Sequence, residues 1–97
     1  MYKIDNHIRT EGFDGLKVHR LTQTESLEVL LISLEKDAIF PEHSSPKDAH
    51  LLVLEGDIDF RINKHNYRLM EQQYFNFPKD EIHWVKAHKN SKFLIIR

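Results

Sequence analysis

The sequence predicts an all-β barrel or sandwich, and three observations carry that prediction. Roughly eight or nine short apolar or alternating runs follow one another at intervals of about eight to twelve residues. Each is closed by a turn signal such as Gly56, Asn63-Lys-His-Asn66 or Pro78-Lys-Asp-Glu81. No segment longer than about ten residues carries an apolar stripe at helical period.

The elements follow in order. Met1 to Gly15 mixes charges with scattered apolar residues and reads as an arm with at most a short strand near Lys3 to His7. Leu16-Lys-Val-His-Arg-Leu21 alternates apolar and polar, the period of a half-buried strand. Leu27 to Leu34 is apolar on both alternating faces, so its outer face calls for a second sheet or a second subunit. Ile39-Phe40 begins a strand interrupted by Pro41, and Ser44 to Asp48 is a loop by composition. Ala49 to Glu55 is a strand ending at Gly56, a residue able to take positive φ. In Asp57 to Ile62, Ile58, Phe60 and Ile62 face inward while Asp57, Asp59 and Arg61 meet water. Asn63 to Asn66 forms a hairpin turn into Tyr67-Arg-Leu69, and Tyr74 to Phe77, Ile82 to Ala87 and Lys92 to Ile96 complete the series.

Composition bounds the role. Ninety-seven residues make one domain with a modest core, for which a partner subunit would help. Fourteen Lys plus Arg against 15 Asp plus Glu give a formal charge of −1, so no clustered basic excess marks a nucleic-acid partner. The longest apolar runs are a few residues and the N-terminus lacks a signal-type apolar segment, which predicts a cytoplasmic protein without a membrane partner. With no cysteine, imidazole and carboxylate are the only plausible transition-metal donors, and there are seven histidines.

Two stretches carry chemistry. Phe40-Pro-Glu-His43-Ser-Ser-Pro-Lys-Asp-Ala-His50-Leu-Leu-Val-Leu-Glu-Gly56 brings a histidine loop into an apolar strand, and Tyr74-Phe-Asn-Phe-Pro78-Lys-Asp-Glu-Ile-His83-Trp84 repeats that logic. These residues resemble the small single-domain cupins. The first family motif runs Gly, five residues, His-x-His, three or four residues, Glu, six residues, Gly. His43 and Gly56 match it, while Asp37, Ser45 and Ala49 stand at the opening glycine, the second histidine and the glutamate. In the second motif Pro78 and His83 match, and Gln72, Asp80 and Ala87 replace two glycines and an asparagine.

The resemblance covers Ser26 to Arg97 and implies a cupin-type jelly-roll barrel, or double-stranded β-helix, with residues 1–15 as its arm and residues 26–97 as its core. It also implies that His43 and His83 are what remains of a metal set of three histidines and a glutamate. The cofactor is then either none or a divalent metal ion held by His43 and His83. A small molecule bound at the barrel mouth would meet His43, Ser44, Ser45 and His83, and an anionic one would bind better as a histidine gains its proton.

Other residues are weaker candidates. On the two-residue period His50 faces away from Ala49, Leu51 and Val53, and Glu42, Asp48 and Glu81 read as solvated loop charges. Phe40, Phe60, Phe75 and Phe77 read as core before pocket lining, Trp84 as an outer residue suited to a subunit contact, and His7, His19, His65 and His88 as surface groups. No nucleophile elbow, phosphate loop or zinc-binding His-Glu-x-x-His occurs. Three functions are therefore expected to compete: a small-molecule-binding module, a metal-dependent cupin enzyme of isomerase or dioxygenase type, and a structural or regulatory homodimer without ligand. A homodimer is expected in any of them from the two apolar faces of Leu27 to Leu34.

Overall fold

The computed structural model describes residues 1–97. A four-residue helix α1 (His7–Thr10) precedes nine strands: β1 (Leu16–Gln23), β2 (Glu28–Leu34), β3 (Ile39–His43), β4 (Ala49–Glu55), β5 (Asp57–Ile62), β6 (His65–Met70), β7 (Tyr74–Phe77), β8 (His83–Ala87) and β9 (Ser91–Ile96). All pairings are antiparallel, in a five-stranded sheet β1-β2-β9-β4-β7 and a four-stranded sheet β3-β8-β5-β6. The inner faces meet in one core, in which Ile32, Leu51, Val53, Ile58, Phe60, Val85 and Phe93 are all but inaccessible. This is the expected all-β jelly-roll barrel. No helix is long and apolar enough to cross a membrane.

Local chemistry explains the joints. The β5–β6 hairpin turns on Asn63 and Lys64, both at positive φ, as a two-residue primed turn requires. Gly56 takes φ 103° between β4 and β5. Ser91 comes so close there that a Cβ on Gly56 would lie 2.2 Å from its Oγ. The buried Ser91 hydroxyl donates to the carbonyl of Lys89 and accepts from the amide of Asp57, tying the two sheets together. β3 continues through Pro41 to His43, with a shift of register between Phe40 and His43. Being an edge strand, it tolerates the missing amide.

Four expectations are corrected. Residues 3–7 form no strand; the arm instead carries α1. Asp57 and Asp59 do not meet water: they are 4% and 9% exposed. Arg68 grips the Asp57 carboxylate with two bonds (3.0 and 2.6 Å) and His88 lies 2.9 Å from that of Asp59, so these two side chains cover the outer face. Leu27 lies outside β2 and is 40% exposed. Finally, the chain itself covers part of the outer face of β2. Ser33 Oγ donates to the Gly12 carbonyl, and the buried Lys92 donates to the Ile8 carbonyl while lying 5.4 Å from the Phe13 ring centre. The rest of that face, with Leu52, Leu94 and Ile96, remains half-buried.

Candidate functional site

Register brings the two motif histidines together. His43 ends β3 and His83 begins β8, and they are direct cross-strand partners, so both rings emerge at the same end of the barrel. Their Nε2 atoms are 3.0 Å apart, with ring centres separated by 4.3 Å. The His43 ring stacks on Phe40 at 4.1 Å, and the His83 ring packs between Phe60 and Phe77 at 5.1 and 4.6 Å. His83 is 3% exposed.

Backbone carbonyls fix which nitrogen carries hydrogen. Nδ1 of His43 lies 2.6 Å from the Pro41 carbonyl and Nδ1 of His83 lies 3.0 Å from that of Glu81. A carbonyl oxygen only accepts, so each Nδ1 is the donor and each neutral ring turns an Nε2 lone pair toward the other. A single proton between them makes an N–H···N bond; a second would set two imidazolium rings against each other. Burial, and secondarily the neighbouring His43, hold the pKa of His83 below its ordinary 6.5. The proton that would favour an anionic ligand is thereby taken up by His83 only at more acid pH.

Around this pair the sheets enclose a cavity of about 280 Å³. Its floor is apolar, built by Ile32, Phe60, Phe77, Val85, Phe93 and Ile95, and its polar lining is Arg20, His43, Ser45, His83 and Arg97. Val18 and Arg20 form its exposed rim on β1. Ser45 is buried, but its hydroxyl already donates to the Lys47 carbonyl and accepts from Arg97 Nη1 at 3.2 Å. Ser44, in the loop after β3, is exposed and does not line the cavity, so it leaves the candidate set. Asp48 instead accepts from the Lys79 amide at 2.9 Å, and Glu42 is exposed. His50, on the outer face, pairs with the Tyr74 hydroxyl. Trp84 is half-buried beneath the Arg61 guanidinium, 4.8 Å from its ring centre.

Two arginines of the lining are absent from the sequence-predicted set, although their signal is present. Arg20 shares the inward alternation of Leu16 and Val18, and Arg97 that of Phe93 and Ile95. Glu28 fixes both: its two carboxylate oxygens accept from Arg97 Nε at 2.7 Å and from Arg20 Nε at 3.0 Å. The Arg97 bond foremost holds the pKa of Glu28 below the ordinary carboxylate range, so Glu28 is charged at neutral pH.

A divalent metal does not fit this lining. Structural sites want about four donors and catalytic ones about three plus water. The cavity supplies two imidazoles, a hydroxyl already engaged, no carboxylate, and two guanidiniums that repel a cation. No group of three or more His, Asp or Glu side chains is arranged to hold an ion.

No family model and no curated protein matches the sequence. Solved structures do match over nearly the whole chain. A conserved Streptococcus pyogenes protein of unknown function superposes with a TM-score of 0.82 at 25% identity, covering 98% of this chain and 84% of that one. An RmlC-like cupin from Desulfovibrio desulfuricans gives 0.86 at 19% identity over 99% and 95% of the two chains. A cupin superfamily protein from Desulfitobacterium hafniense gives 0.81 at 19% identity over 88% and 78%. With two antiparallel sheets, a histidine from each motif at the barrel mouth and these neighbours, the chain is a small β-barrel of the cupin fold.

Proposed function

We propose that this protein binds a small molecule of metabolite size in the cavity between its sheets, by recognition and without a resident metal. The carrying observation is the lining: an aromatic and aliphatic floor that excludes water, with a few convergent polar groups, His43, His83 and Arg97, at one end. At about 280 Å³ the cavity is near the lower end of the ~300–1,000 Å³ common for such sites, which suits a compact ligand with one ring. The orientation of both imidazoles supports the same role, because the Nδ1 bonds to backbone carbonyls hold both rings in place and leave Nε2 as the polar atom each offers to a ligand.

The test uses a neutral probe, 4-phenylbutanamide, titrated calorimetrically into the protein and into Val18→Trp. Val18 is 51% exposed at the rim, so a larger side chain there can close the mouth without disturbing the core. Binding to the native protein, lost in Val18→Trp at unchanged Tm, is the expected result. Binding of equal strength in both proteins would place the probe elsewhere and refute the proposal. We also propose that two copies pair through the outer face of the five-stranded sheet, where Leu52, Leu94 and Ile96 are only half-covered.

A further inference from the structure

Building on the binding role proposed above, we infer that the ligand is an amphipathic carboxylic acid, its apolar body on the Phe60–Phe93 floor and its carboxylate received by Arg97 and Arg20. The rim sets the sign. Two guanidiniums are tied to one carboxylate, that of Glu28, so these three side chains together carry one positive charge. No carboxylate lines the cavity itself.

Donors are available as well as charge. A guanidinium has five N–H groups. Arg97 commits Nε to Glu28 and Nη1 to Ser45, and Arg20 commits Nε to Glu28. Nη2 of Arg97 and both Nη groups of Arg20 have no partner in the protein, which leaves the paired N–H geometry that suits a carboxylate. Glu28 also holds the arginines in place beforehand: Arg97 is 22% exposed and Glu28 14%, so this part of the rim is already ordered. Arg20, at 56%, is the more exposed half of the clamp.

The test pairs 4-phenylbutyrate with 4-phenylbutanamide, which share a body and differ in head-group charge. Both are titrated at about pH 8, above the range in which His83 holds a proton, so that arginine is the relevant cation. The native protein is expected to prefer the acid by about tenfold, as a charge-assisted bond allows, with the margin shrinking in high salt. Arg97→Gln should remove the preference and Arg20→Gln should reduce it about threefold, the ratio of acid to amide affinity within each variant being the readout. Because Arg20 is exposed, its variant folds even if Arg97→Gln does not, and Arg97→Lys, keeping the charge without the fork, should fall between. Equal affinity for acid and amide, or a preference that survives both glutamine substitutions, overturns the inference while leaving the cavity's binding role intact. Binding of neither compound overturns both.

Discussion

Alanine at position 56 should cost this fold more than alanine at either other glycine, and the structure gives the reasons separately. Gly56 has φ 103°, a region that L-residues enter at a cost of about 1–3 kcal/mol. Its new Cβ would also lie 2.6 Å from both Cα and Cβ of Ser91, where ordinary contact begins at 3.4 Å. Backbone cannot swing aside, so β9 must shift by close to an ångström, an overpacking cost of about 1–3 kcal/mol. The shift also loosens the bond from the Asp57 amide to Ser91 Oγ (3.0 Å), worth about 1 kcal/mol. Together these come to about 3–7 kcal/mol, a large share of the ~5–15 kcal/mol that holds a domain of this kind. Gly15 supplies the control: it has φ 63° and no atom within 4 Å of where an alanine Cβ would sit, so Gly15→Ala should cost only about 1 kcal/mol. Gly12, without positive φ or a neighbour, should accept alanine within about 0.5 kcal/mol. Urea unfolding followed by tryptophan fluorescence ranks the three. A Gly56→Ala protein no less stable than Gly15→Ala would refute the steric reasoning and show that β9 yields freely.

Two further outcomes are expected. Burial depresses the His83 pKa, so the unfolded chain binds that proton more readily than the folded one; the stability contribution is full above pH 6.5 and falls as the pH drops through the folded value. Urea midpoints between about pH 5 and pH 8 should therefore slope downward toward acid, and His83→Gln should flatten the slope; parallel curves would contradict the assignment. Deleting residues 1–13 removes the acceptors of the buried Ser33 and Lys92, which should destabilise the chain by about 2–4 kcal/mol. Sedimentation of the intact protein tests the proposed pairing of copies, and a monomer at all concentrations would reject it.

What the sequence discloses follows from what each pattern can encode. Alternation in Asp57 to Ile62 puts Ile58, Phe60 and Ile62 correctly in the core, because which side of a strand a residue faces is a local property. That same alternation sends Asp57 and Asp59 toward water and fails, since it is silent on whether Arg68 and His88 will lie across the outer surface. His43 and His83 are legible through motif spacing, and their convergence across β3 and β8 needs only antiparallel pairing. Arg20 and Arg97 escape for the opposite reason: arginine reads as a solvent residue even where the period turns it inward. The arm offers no period at all. A helix of four residues is too short to show one, and its hold on Ser33 and Lys92 runs through its own carbonyl groups, which every sequence possesses alike.

The carbonyl tethers on the two imidazoles reach beyond the static picture. Neither ring can flip to exchange its nitrogens without breaking its bond to Pro41 or Glu81, so hydrogen-bonding character at the inner wall is switched only by protonation. In alkaline solution the wall is a pure acceptor and welcomes an alcohol; once a proton lodges between the rings, that acceptor is consumed and the alcohol loses its anchor. A guest with a hydroxyl at one end and an acid at the other would thus be gripped at both ends while the pair is free of that proton and by its acid alone once the proton is taken up.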